Sequence, residues 1–238
     1  LEASSAASDV YKRQLKIRQK IIFDYRDLTR TFVETADHDL ILWPETCIPG
    51  LFMLDWVQDY FNEHVLKGDD FYLLTGIEDA TLLGDGDDDS GEIYNTITLM
   101  KGDTSTYQSH RKVHLVPLGE YIPFRGKFPL FEWIAGGIIE EDFTPGTSFE
   151  PLILEKDGHG IGIIPLICFE DTVPRHTRKF IRNGPQVMVN VSNDGWFRES
   201  AEPIHHYNNA IFRCIEFRRP MIRACLLYTS DAADDASS

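Results

Sequence analysis

Four residues in this sequence could act together on an acyl carbonyl: Glu45, Lys112, Glu120 and Cys168. Cys168 closes the apolar run Ile161-Gly162-Ile163-Ile164-Pro165-Leu166-Ile167, bounded by Gly160 before it and Glu170-Asp171 after it. Such a run predicts a buried strand, and a strand that ends on a cysteine can present a thiol nucleophile. Glu45 stands in Trp43-Pro44-Glu45-Thr46, directly after another short strand pattern, where a carboxylate can act as a general base. Lys112, in Arg111-Lys112-Val113-His114-Leu115, could stabilise a developing oxyanion, and Glu120 follows in Pro117-Leu118-Gly119-Glu120-Tyr121-Ile122-Pro123. Each also has an ordinary reading: a core cysteine, a solvated loop carboxylate, a surface lysine.

Other groupings fit less well. A Cys–His pair of Cys168 with His114, His205 or His206 needs an orienting Asn or Asp and leaves Glu45 and Lys112 unexplained. The adjacent His205-His206 would point apart on a helix and lacks zinc-ligand spacing. The acidic stretch Asp85-Gly86-Asp87-Asp88-Asp89-Ser90-Gly91 has Ser90 where a calcium loop needs Gly and Thr96 where it needs Glu. Cys47, Cys168, Cys214 and Cys225 show no CxxC spacing, so neither a metal nor a disulfide framework is expected, and no cofactor motif is present.

The elements that must position these residues follow from hydrophobic spacing. Ile17, Ile21, Tyr25, Leu28, Phe32 and Val33 predict a first amphipathic helix over 15–36. A strand over 39–43 and a helix over 51–66 come next, then a strand over 71–77, an acidic loop over 78–91 and a hairpin over 93–110. Residues 111–147 read as a long Pro- and Gly-rich connection with a short helical piece over 129–135, a length usually tied to function. Strands over 151–154 and 161–168, a helix over 174–182, a strand over 186–191, a loop over 192–197, a helix over 202–217 and a strand from 220 complete an α/β pattern with mixed sheets.

The 238 residues, 42% hydrophobic, suffice for one full-sized core. Net charge is −15, and 69–92 carries nine acids and no base, which repels polyanions and argues against nucleic-acid binding. No apolar run is long enough to span a bilayer. Ser4–Gln14 and Cys225–Asp234 resemble the two strand translations of one sequencing adaptor. Residues 1–14 and 225–238 are therefore expected to be non-native tails around a catalytic segment, 15–224.

Three segments, WPET, RKVHLVPLGEYIP and LICFED, resemble in order and spacing the Glu-Lys-Cys triad of the nitrilase, or carbon–nitrogen hydrolase, superfamily. With Asn190-Val191-Ser192-Asn193-Asp194-Gly195-Trp196-Phe197 and Arg213-Cys214-Ile215-Glu216-Phe217-Arg218-Arg219-Pro220, the resemblance is to its apolipoprotein N-acyltransferase branch. It implies a four-layer α-β-β-α sandwich with two mixed sheets. It also implies a Cys168 nucleophile, a Glu45 base, and an oxyanion held by Lys112 and the N–H of Phe169, with Glu120, Glu170 and Trp196 in support. Phe169 stands where that family often has Tyr. Further implications are a phospholipid acyl donor, a lipoprotein N-terminus as acceptor, and a bacterial inner-membrane parent with its catalytic domain on the periplasmic side. The segment is then expected to be truncated at both ends and to lack the membrane anchor. The alternative within the superfamily is a soluble amidase that releases the thioester to water. Phe128, Leu130, Phe131, Trp133, Ile134, Ile138 and Ile139 could form an apolar rim that favours a lipid substrate, with packing inside the domain as the ordinary alternative.

Overall fold

The computed structural model describes residues 20–48, 50–82, 91–127, 141–197 and 200–226. Two four-stranded sheets stack face to face, with helices on their outer surfaces. The first sheet has the order β1 (Leu40–Leu42), β2 (Tyr72–Leu82), β3 (Gly91–Lys101), β4 (Asp103–Arg111). The second has the order β5 (Leu152–Lys156), β6 (His159–Ile167), β7 (Gln186–Asn193), β8 (Met221–Leu226). Each sheet is mixed: β1–β2, β6–β7 and β7–β8 are parallel, and the remaining pairs antiparallel.

Strand alternation sorts the side chains into layers. Leu74, Ile97 and Leu99 of the first sheet meet Leu154, Ile163, Ile167, Val189 and Val191 of the second. On the opposite face of the first sheet, Leu73, Ile77 and Met100 pack under α1 (20–33) and α2 (Asp55–Tyr60), through Ile22, Val57 and the π-type turns Phe61–Leu66 that continue α2. Ile164, Leu166 and Met188 face outward to Phe180 beyond α3 (Pro174–Arg178) and to Cys214 and Phe217 of α4 (Glu202–Phe217). The four-layer α-β-β-α expectation is met.

Several boundaries differ from expectation. The acidic loop begins late, because β2 stays paired with β3 as far as Leu82↔Gly91. Backbone pairing carries that stretch, and Asp79 is used locally, its Oδ1 accepting the N–H of Met53 at 3.1 Å. The α2 region starts at Asp55 rather than 51, and α3 stops at Arg178. β7 runs through Asn193 with a 3-10 turn, Asp194–Phe197, following it, and β8 continues through Cys225 and Leu226. The helical piece over 129–135, the apolar rim of Phe128 to Ile139 and most of the acidic loop lie outside the described residues.

Candidate active site

Glu45 is placed by backbone bonds from the end of β1 onto β2. Trp43 N donates to Leu74 O at 2.8 Å and Gly76 N to Pro44 O at 3.2 Å. The approach requires glycine: a Cβ on Gly76 would lie 2.6 Å from Glu45 Cα. Lys112 follows β4, its N–H donating to Asn95 O at 2.8 Å and its carbonyl accepting Gly146 N at 2.7 Å. Gly146 is required in the same way, since a Cβ there would lie 2.3 Å from Arg111 O.

Three buried charges meet at this point. Lys112 is 1% exposed, Glu45 6% and Glu120 9%. Lys112 Nζ donates to Glu120 Oε1 at 2.8 Å and lies 3.6 Å from Glu45 Oε1. Asn95 Nδ2 donates to both carboxylates at 2.8 Å. Glu45 Oε2 accepts the N–H of Asn193 at 2.9 Å, and Glu120 Oε2 that of Val116 at 2.8 Å. Burial works against the Lys112 charge, but Glu45 and Glu120 raise its pKa, so it stays an ammonium.

Cys168 joins β6 to the turn Cys168–Thr172 with φ +53°, a left-handed conformation that non-glycine residues rarely adopt. Its carbonyl accepts Asn190 Nδ2 at 2.8 Å, and its side chain packs against the core between the sheets. Burial, then the charge of Glu45, pushes the thiol up to about 12, against Lys112 and a hydrogen bond with Ser192. It is therefore a thiol at neutral pH and needs a base to react. Lys112 Nζ sits 5.7 Å above the Phe169 ring centroid.

Glu170, fully buried, ties this turn to the lysine segment. Its Oε1 accepts Val113 N at 2.8 Å and His114 N at 3.0 Å, and its Oε2 accepts Ile167 N at 2.9 Å. The backbone of Trp196 lies in the 3-10 turn after β7; its side chain is outside the description.

Sequence reasoning missed two groups. Asn95, which bridges the two glutamates, left one signal: a polar residue on the same strand face as Ile97 and Leu99, inside the apolar β3 pattern. The other group lies behind Cys168 and left none, because its members are far apart in the chain. His206 Nε2 lies 2.9 Å from Asp171 Oδ1 and 3.0 Å from Cys168 O, so this histidine meets the cysteine carbonyl. Arg223 reaches Asp171 at 3.2 Å and Asp194 at 2.8 Å. Arg223 Nη2 also lies 2.8 Å from His206 Nδ1, where a neutral ring would accept, whereas a charged ring donates from Nδ1 to Asp194 at 3.2 Å. Two buried carboxylates against one guanidinium favour the charged ring. Burial opposes it, but Asp171 and Asp194 hold its pKa up at about 9.

The carbon–nitrogen hydrolase family profile matches residues 26–233. A Geobacter metallireducens protein named apolipoprotein N-acyltransferase is 30% identical over 211 residues, 87% of this chain and 38% of its own length. One of the same name from Pseudomonas aeruginosa is 34% identical over 206 residues, 84% of this chain and 36% of its own length. The chain thus spans under two fifths of these relatives. Among solved structures, Saccharomyces cerevisiae Nit3, of branch 10 of the nitrilase superfamily, matches with a TM-score of 0.60 at 17% identity, over 90% of this chain and 72% of that one. A carbon–nitrogen hydrolase from Helicobacter pylori G27 matches with a TM-score of 0.57 at 17% identity, over 88% and 68%. The family profile covers most of the chain and the fold agrees with it, so the chain belongs to the carbon–nitrogen hydrolase family.

Proposed function

We propose that this chain is the catalytic part of an N-acyltransferase that moves a fatty acyl group from a phospholipid to the N-terminal amine of a diacylglyceryl-cysteine lipoprotein. The observation that carries the reading is the buried Glu45–Lys112–Glu120 cluster beside the strained Cys168, in a chain whose relatives bear the name apolipoprotein N-acyltransferase.

In the first half-reaction Glu45 takes the thiol proton as Cys168 Sγ attacks the ester carbonyl carbon. Lys112 Nζ and the N–H of Phe169 hold the oxyanion. The ester C–O bond breaks, Glu45 returns the proton to the leaving alkoxide, and a thioester and a lysophospholipid result. In the second, the acceptor amine attacks the thioester while Glu45 takes its proton. The C–S bond breaks, the proton passes to the departing sulfur, and an amide is formed. Neither step calls on a cofactor.

Glu120 positions Lys112, Glu170 positions the nucleophile turn, and Trp196 belongs to the surrounding shell. A cleft of about 420 Å³, lined by Val113, Leu115, Tyr121, Phe143 and Pro145 with His114 and Asp142 as its polar members, opens beside the lysine segment, and in this reading its apolar side takes part of an acyl chain. Among the described residues no helix is long and apolar enough to cross a membrane. In this reading the parent protein sits at the bacterial inner membrane, catalytic domain on the periplasmic side.

The test is intact-mass analysis of the parent protein after exposure to phospholipid vesicles. The expected result is one acyl chain on Cys168, absent from Cys168→Ser, and its passage to a diacylglyceryl-cysteine peptide. An unmodified Cys168 with ready hydrolysis of small amides would instead make the protein an amidase of the same family.

A further inference from the structure

A second cluster of chemically capable side chains adjoins the site and shares Glu170 with it. His110 of β4, Glu170 of the nucleophile turn and His176 of α3 are 2%, 0% and 0% exposed, and one potential ligand atom from each lies within 4.8 Å of the other two. Their hydrogen bonding is incomplete. Among the described residues neither ring nitrogen of His110 has a hydrogen-bond partner, and neither does Nε2 of His176. A buried polar group without a partner costs about 1–3 kcal/mol, so unpaired nitrogens gathered around a buried carboxylate point to an occupant.

The remaining atoms are already committed, which leaves the free ones close to one another. Glu170 Oε2 takes only the N–H of Ile167, at 2.9 Å, and keeps a lone pair. His176 Nδ1 pairs with His114 Nδ1 at 3.0 Å, which leaves Nε2 free. That Nε2 lies 3.5 Å from Glu170 Oε2, a poor hydrogen bond. It is close to the edge of about 3.4 Å between two ligands that each sit about 2.1 Å from a tetrahedral zinc ion. A ligating imidazole whose far nitrogen is held by a second group is the usual arrangement at such centres, and His114 supplies that group. The rings of Phe149 and Phe180 pack edge-on against His176, and Phe180 also against His110, which encloses the cluster.

We propose that His110, Glu170 and His176 form a buried site for a divalent transition metal, zinc first, with His114 as the outer partner of His176. Two imidazoles and one carboxylate suit zinc better than magnesium or calcium, which favour oxygen ligands. His110 lies two residues before Lys112 and Glu170 two after Cys168, so the ion would tie the lysine segment to the nucleophile turn as a structural link. The ligands come from three separate elements, so no ligand spacing announces the site in the sequence. The site does not depend on the acyl-transfer reading.

The test is the zinc content of the purified chain after incubation with Zn²⁺ and exhaustive dialysis, compared across wild type, Cys168→Ser, His110→Phe, His176→Phe and His114→Phe. One equivalent is expected in wild type and in Cys168→Ser. Affinity should fall about 10–100-fold in His114→Phe and further in His110→Phe and His176→Phe. A folded wild-type chain that keeps no zinc overturns the proposal and leaves water as the occupant, and equal retention by His110→Phe overturns it too. Where the phenylalanine variants fail to fold, the Co²⁺-substituted wild type decides. Four-coordinate ligand-field bands that persist in Cys168→Ser support the site; bands lost in that variant, or none at all, overturn it.

Discussion

Lys112 Nζ is 2.8 Å from Glu120 but 3.6 Å from Glu45, so the lysine is anchored by one carboxylate and only neighboured by the other. Glu45 is held instead by Asn95 and the N–H of Asn193. Glu45→Gln should slow Cys168 acylation about 10²–10⁴-fold. The melting temperature should fall by only about 2–4 °C, as expected for a loss near 1 kcal/mol in a chain of this size. Near-normal acylation by the variant would remove Glu45 from the base role.

Removing the lysine has a different signature. Lys112→Met leaves two buried carboxylates without their cation and should destabilise the fold by about 3–5 kcal/mol in urea titrations. The double variant Lys112→Met/Glu120→Gln should recover part of that loss while staying inactive. Recovery of acylation together with stability would show that Lys112 serves the fold alone.

The thiol, pushed up to about 12 by burial and then by Glu45, should react slowly with iodoacetamide at neutral pH and faster only in alkaline buffer. In Glu45→Gln one of the causes of the raised value is gone, so the alkylation profile should move to lower pH while acyl transfer falls. A profile that stays in place would disconnect the two residues.

His206 gives stability a pH dependence. Its folded value of about 9 is above the ordinary 6.5, so its contribution is complete below pH 6.5 and is lost as pH rises toward 9. Thermal melts across that window should show a loss on the order of 2 kcal/mol that His206→Gln abolishes. A wild-type chain equally stable at both ends of the window would exclude a charged His206.

Gly76→Ala tests the placement of Glu45. The added methyl would meet the Glu45 backbone at 2.6 Å, so β1 must shift away from β2. Acylation should fall at least tenfold with the fold retained, since circular dichroism reads the sheet and not the Glu45 position. Unchanged acylation would mean that the site tolerates that shift.

Much of this site was legible in the linear chain because its residues sit at the ends of strands with clear apolar patterns: Cys168 after Ile161–Ile167, Glu45 after β1, Lys112 after the β3–β4 hairpin. Ordered short motifs carry the family, and two mixed sheets follow from strand and helix alternation. Burial could not be read there. Lys112, Glu170 and His176 are types usually exposed or partly so, and only the closing of one sheet on the other makes them interior. Nor could the partners be read, because Asn95, His206 and Arg223 matter through bonds to residues far from them in sequence. Period and turn chemistry are local properties that a sequence determines by itself. Desolvation and the pairing of buried charges depend on which surfaces meet, and only the tertiary structure decides that.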